Sequence, residues 1–127
     1  MPLHSIHHIA LICSDYPRSK DFYTRILGLQ VIAETYRAAR DSWKLDLALG
    51  DVQLELFSFP GAPPRPSYPE AQGLRHLAFA VDDLATMVTH LEANGVACKP
   101  IRQDELTGKR FTFFADPDDL PLELYER

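Results

Sequence analysis

The sequence predicts an α+β fold of two tandem βαβββ modules, and three observations carry that prediction. Gly73-Leu74-Arg75-His76-Leu77-Ala78-Phe79-Ala80-Val81 is a second copy of the stretch His7-His8-Ile9-Ala10-Leu11-Ile12. Laying His76 on His8 sets an offset of 76 − 8 = 68 residues, and the same offset carries Leu54-Glu55-Leu56-Phe57 onto Leu122-Glu123-Leu124-Tyr125. Asp15 and Asp83, each at the head of an amphipathic run, coincide under the same shift. A repeat of this kind dictates architecture before any local reading is made.

The elements follow in order. Ile6 to Cys13 is rich in Ile, Leu and His without turn residues, and reads as a strand. Asp15 is placed to cap a helix over Pro17 to Leu27, in which Phe22, Tyr23, Ile26 and Leu27 recur at helical spacing; Pro17 is tolerated in the first turn and Gly28 ends it. Leu29 to Tyr36 reads as a strand, Arg37 to Asp41 as a charged loop, and Trp43 to Leu49 as a strand that turns at Gly50-Asp51 into Val52 to Phe57. These make a first module over residues 4–58. The segment 59–73 holds Pro60, Pro63, Pro64, Pro66 and Pro69, half of the ten prolines, and reads as a stiff, extended linker at roughly 3 Å per residue. The second module, 74–127, repeats the pattern: strand Arg75 to Val81, helix Asp83 to Asn94 closed by Gly95, short strand Val96 to Pro100, strand Arg110 to Ala115, turn Asp116 to Asp119, strand Leu120 to Tyr125. Asn94-Gly95 lies one position off Leu27-Gly28 under the shift, a slip at a helix end.

At 127 residues the chain has the length of a single domain, whereas each half, at about 60 residues, would be marginal alone. The halves are therefore expected to pack on each other or on halves of a second chain. With 13 basic and 18 acidic residues the formal charge is −5, which offers no footprint for nucleic acid or an anionic membrane. No apolar run approaches a membrane span and no charged-then-apolar leader begins the chain, so a soluble, unexported, cytoplasmic protein is expected. Cys13 and Cys98 form no CxxC and match no zinc spacing, and read as reduced, buried small residues.

The repeat also groups the polar residues. Side chains alternate across a strand, so His8 shares a face with Ala10 and Ile12, and His76 with Ala78 and Ala80, while the bulkier residues turn the other way, beneath the helix. Glu55 stands opposite Leu54 and Leu56, and Glu123 opposite Leu122 and Leu124. A carboxylate embedded between leucines is costly unless paired or liganded. Taken singly, a strand His or Glu is more often a satisfied polar residue than a ligand. The identical spacing within each copy, 55 − 8 = 47 and 123 − 76 = 47, changes that weighting, because packing alone would not choose charged residues. Two imidazoles and two carboxylates suit a divalent Zn, Ni, Co, Mn or Fe ion and balance its charge. His7 falls opposite His8 with Arg75 as its repeat partner, so His7 and His4 are outside the ligand positions, and His90 belongs to the surface of the second helix.

The chain resembles the vicinal-oxygen-chelate superfamily, which includes glyoxalase I, methylmalonyl-CoA epimerase, extradiol dioxygenases and the fosfomycin- and bleomycin-resistance proteins. The residues that carry the resemblance are His8-Ile9-Ala10-Leu11, Asp21-Phe22-Tyr23 with Ile26-Leu27-Gly28-Leu29, Leu54-Glu55-Leu56, Arg75-His76-Leu77-Ala78-Phe79 with Val81-Asp82-Asp83, and Asp116-Pro117-Asp118 leading to Leu122-Glu123-Leu124. The resemblance implies paired βαβββ modules forming a curved mixed sheet around a metal site, helices outside, frequently as a homodimer. His, Glu, His, Glu in chain order is similar to glyoxalase I, which uses Zn or Ni. Carried over, His8, Glu55, His76 and Glu123 would hold the ion, which chelates two neighbouring oxygens of a 2-oxo adduct and stabilises an enediolate. Glu123 is then the implied base for the carbon proton, with Glu55 assisting.

The glutathione anchors of bacterial glyoxalase I, an Arg four residues after the first His and an Asn four residues after the first Glu, are replaced by Ile12 and Phe59. Arg37, Arg40, Trp43, Lys109 and Arg110 are the candidates for a different anion and stacking site; the plainer reading of each is a solvated loop charge or a core Trp. The leading expectation is a metal-dependent lyase or isomerase on a small oxygenated substrate. The alternatives are another reaction of the same superfamily, such as epimerisation or thiol addition to a small antibiotic, and a non-catalytic protein that sequesters a small molecule.

Overall fold

The computed structural model describes residues 2–127 and divides into two compact units, one ending at Pro63 and the other beginning at Pro64, within the proline-rich segment. The first unit runs β1 (His8–Cys13), α1 (Tyr16–Asp21) continuing as a π-helical turn (Phe22–Ile26), β2 (Gln30–Arg37), a 3-10 turn (Ala38–Arg40), β3 (Ser42–Leu49) and β4 (Val52–Ser58). The second runs β5 (Leu77–Val81), α2 (Leu84–Ala93), β6 (Arg102–Gln103), β7 (Arg110–Ala115) and β8 (Pro121–Glu126). Both sheets are four-stranded and mixed, with orders β1-β4-β3-β2 and β5-β8-β7-β6. In each, the first strand pairs in parallel with the last and the remaining pairs are antiparallel. This is the α+β, twice-βαβββ architecture that the repeat predicts.

Each unit has its own core, formed where the helix covers the bulky face of the sheet. Leu45, Leu47, Leu54 and Leu56 of the first sheet are buried with Leu11, Cys13, Phe22, Tyr23 and Ile26. In the second unit Leu84 and Leu91 of α2 are buried with Phe114, Leu122 and Leu124. Each such leucine contributes about 1.5–3 kcal/mol by leaving water. Both helices start as expected: Asp15 Oδ1 accepts from Arg18 N at 3.2 Å and Asp83 Oδ1 from Thr86 N at 3.0 Å, satisfying a donor the helix itself leaves open. Replacing Asp15 with Ala should lower stability by about 1 kcal/mol, read as a fall in the urea midpoint at unchanged slope.

The helices end alike but arrive differently. Gly28 and Gly95 take left-handed conformations, φ +79° and +78°, which a Cβ would oppose. From Asp15 to Gly28 is 28 − 15 = 13 positions, whereas Asp83 to Gly95 is 95 − 83 = 12. The extra residue of the first copy is taken up by the π turn, in which Leu27 N donates to Phe22 O at 2.9 Å, five residues back. The slip is reversed in the hairpin between the last two strands. Gly50-Asp51 joins a β3–β4 ladder closed by Leu49 and Val52, while β7 and β8 are closed by Ala115 and Pro121 around a longer turn held by Asp116 Oδ1, which accepts from Asp118 N and Leu120 N, each at 2.9 Å.

One predicted strand is not formed. Val96 to Pro100 is irregular, and the short β6 lies beyond it, at Arg102–Gln103. Pro100 has no N–H to continue a ladder, so the segment is fastened at one residue instead: Lys99 N donates to Phe113 O at 2.8 Å and Thr112 Oγ1 donates to Lys99 O at 2.6 Å. Cys13 and Cys98 form no disulfide, and burial pushes the Cys98 thiol up, away from its reactive thiolate. None of the described helices is long and apolar enough to cross a membrane.

Candidate functional site

In the first sheet the ladder places Glu55 opposite Ala10 of β1 on one side and Asp46 of β3 on the other. The alanine adds no bulk, and Glu55 remains only 7 % exposed. Its Oε2 lies 3.6 Å from His8 Nδ1 and accepts from Gln53 Nε2 at 2.9 Å. Lys44 Nζ lies 3.8 Å from Glu55 Oε1 and 2.7 Å from Asp46 Oδ1; the Asp46 carboxylate holds the Lys44 ammonium above its ordinary range. The second sheet repeats the geometry with different neighbours. Glu123 stands opposite Ala78 and Phe113, and its Oε1 lies 3.2 Å from His76 Nε2. His76 sits edge-to-face on Phe113 with ring centres 5.0 Å apart, and Phe111 stacks on Tyr125. The first pair is framed by charge, the second by aromatic rings.

The spacing within each His–Glu pair suits a shared divalent ion. Nitrogen and oxygen ligands sit about 2.0–2.2 Å from such an ion, so two neighbours in its shell are roughly 3 Å apart. The 3.2 Å between His76 and Glu123 meets that spacing, and the 3.6 Å between His8 and Glu55 comes near it. His76 Nδ1 is buried without a hydrogen-bond partner among the described residues, so the imidazole has unused capacity. Two carboxylates and two neutral imidazoles would offset a dication, and Asp46 neutralises the nearby Lys44. Each unit presents one His–Glu pair, and among the described residues no group of three or more His, Cys, Asp or Glu is gathered for a metal.

The other expected site residues are dispersed. Arg37 bonds Ser42 Oγ at 2.8 Å and lies over the rings of Phe57 and Phe59 at 4.8 and 5.5 Å, on the Lys44 face of its sheet. Trp43 turns to the opposite face, stacked on Tyr16 at 5.3 Å, and Arg40 is exposed in the 3-10 turn. Lys109 is exposed between β6 and β7, and Arg110 pairs with Glu126 at 3.1 Å on the helix-side face, away from Glu123. His4 and His90 are exposed. His7 precedes the strand, is free of its alternation, and places Nδ1 2.8 Å from His8 Nδ1. Sequence reasoning missed Lys44, Asp46 and Gln53, although a signal existed. A two-residue turn at Gly50-Asp51 sets Asp46 opposite Glu55 and Lys44 opposite Phe57, so their even positions place both on the Glu55 face.

Residues 5–124 match the Glyoxalase/Bleomycin resistance protein/Dioxygenase superfamily. The chain is 62 % identical over 128 residues to YwkD of Bacillus subtilis (strain 168), itself uncharacterised, with all of both chains covered. A glyoxalase family protein from Enterococcus faecalis superposes with a TM-score of 0.91 at 48 % identity, over 99 % of this chain and 100 % of that one. A 2-epi-5-epi-valiolone epimerase from Actinomyces sp is 29 % identical over 94 % of this chain and 78 % of its own length.

Proposed function

The chain belongs to the Glyoxalase/Bleomycin resistance protein/Dioxygenase superfamily, and on that premise we propose that it is a metal-dependent, glyoxalase-I-like lyase or isomerase acting on a small 2-oxo adduct. The observation that carries the reading is the duplicated His–Glu pair, His8 with Glu55 and His76 with Glu123, in which each glutamate stands on the last strand of its sheet opposite an alanine and each histidine lies at the start of the first. These four residues would hold a divalent ion, with Zn or Ni favoured and Co, Mn or Fe also suited to the set. When bound, the ion would supply Lewis acidity toward two neighbouring substrate oxygens.

The chain's own groups supply the proton chemistry. Glu123, framed by Phe113 and His76, takes the proton from the substrate carbon and returns it to the adjacent one, an isomerisation with no net proton uptake. Glu55, held by Gln53 and Lys44, orients the other edge of the substrate and assists. A homodimer is part of the same proposal, and each edge strand of the first sheet exposes apolar residues to meet a second copy, Ile12 on β1 and Val31 and Ile32 on β2.

The test is turnover of methylglyoxal–thiol adducts by the metal-loaded, full-length chain, followed by proton NMR. Glu123→Gln should lose about 10²–10⁴-fold in turnover with its circular dichroism unchanged. No turnover of any adduct with any of the five metals would sink the lyase reading. The epimerase relative favours a second reading, since an epimerase begins with the same proton removal. Deuterium uptake from solvent at a substrate carbon without rearrangement would select it.

A further inference from the structure

The second unit contains a cavity of about 450 Å³, within the size range of small-ligand sites, that opens beside His76 and whose cationic residues have no role above. Arg75, Lys99 and Arg102 line it together with His76 and Phe113, against a single carboxylate, Glu70. We propose that this cavity is an oxyanion subsite, in which the three cations receive a carboxylate or phosphate group carried by the substrate. The word substrate rests on the lyase or isomerase reading; the anion site itself rests on the cavity.

Three observations support it. The first is charge. The chain as a whole carries −5, yet this cavity is lined by three cations and one carboxylate, Glu70, with Glu123 behind His76 and with Asp104 and Glu105 bordering Arg102 on its other side. Lys20, Arg25, Lys44, Arg110 and Arg127 are ion-paired, whereas among the described residues Arg75, Lys99 and Arg102 have no carboxylate at ion-pair distance. Unpaired cations crowded into a concave, partly apolar site repel one another unless an anion enters. The second is preorganisation. Lys99 is tied to β7 through both its N–H and its C=O, and the Arg102 guanidinium lies over the Phe111 ring at 5.0 Å. The backbone from which Lys99 reaches is thereby fixed, and for Arg102 part of the ordering cost of binding is already met. The third is placement. His76 lines the cavity and also contacts Glu123, so an anion seated on the cations would leave the rest of a short molecule against the His–Glu pair. Pro100 and Phe113 offer apolar contact for the carbons between. The substrate class is thus a small compound with neighbouring oxygens at one end and an oxyanion at the other.

The experiment is an NMR titration of the ¹⁵N-labelled full-length chain with inorganic phosphate and, separately, with propanoate, the ionic strength held constant with sodium chloride. Saturable shifts at the amides of Arg75, Lys99 and Arg102 are expected. Lys99→Gln and Arg102→Gln should each weaken binding about tenfold, while Arg18→Gln on α1 leaves it unchanged. Saturation by propanoate alone identifies a carboxylate, and by phosphate alone a phosphate. Failure of both anions to saturate overturns the proposal, as does unaltered affinity in folded cavity variants, with Arg75→Gln as a third variant if either of the first two does not fold. Metal content measured on the same samples separates the two ideas. Anion binding without metal uptake keeps the subsite and removes the lyase, whereas metal uptake with turnover but no anion binding removes the subsite alone.

Discussion

Reconstituted with Zn or Ni and desalted, the full-length chain should retain about one ion per chain, and the Glu55→Ala, Glu123→Ala double variant none. Both glutamates lie on strands whose neighbouring side chains face the core, so truncation removes a carboxylate without opening the packed face. The variant should therefore fold while failing to bind. The affinity has a second readout, because an ion that binds only the native chain raises stability by about 2.7 kcal/mol at one hundred times its dissociation constant. The wild type should melt higher with metal, and the double variant should not respond. Elemental analysis and thermal unfolding check the two outcomes independently. A variant that still retained the ion would show that these carboxylates do not hold it, and a wild type without one would favour a small-molecule-sequestering protein.

Leu122→Ala should cost about 2–5 kcal/mol, the largest stability effect expected here from one substitution. Leu122 is 0 % exposed and sits in β8 between Leu77 of β5 and Phe114 of β7, on the face that α2 covers with Leu84 and Leu91. Deleting its three outer carbons loses their transfer energy and leaves a void that two hydrogen-bonded neighbouring strands cannot collapse to fill. Leu106→Ala is the matched control: at 96 % exposed it should change stability by no more than about 0.5 kcal/mol. Urea unfolding of both variants decides the matter, and a small effect at Leu122 would mean that this core is not tightly packed.

The pairing of His8 with Glu55 and of His76 with Glu123 was legible because a repeat compares the chain with itself, and strand alternation then sorts each position to a face. The capped starts and glycine ends of both helices were legible for the same local reasons. Other features depended on register or on distant segments. Arg37 and Trp43 are close in sequence yet emerge on opposite faces of the sheet, which proximity along the chain cannot reveal. The strand expected at Val96 to Pro100 satisfied apolar composition but met a proline where a donor was needed. Arg75, Lys99 and Arg102 are brought to one cavity by a sheet edge and an irregular segment, and no spacing among 75, 99 and 102 announces it.

The π turn in the first helix has a counterpart that gives it meaning. One copy is a residue longer in its helix and the other a residue longer in its final hairpin, so the two differences cancel before Glu55 and Glu123 are reached. Asp46 and Phe113 are 113 − 46 = 67 apart, yet Glu55 and Glu123 are 123 − 55 = 68 apart, and each glutamate returns to a position beside its alanine. The one-residue difference that opens in the helices is thus closed in the hairpins, where turns tolerate a change of length. What the two halves have in common is a meeting point between strands, the same in both although the path leading to it differs.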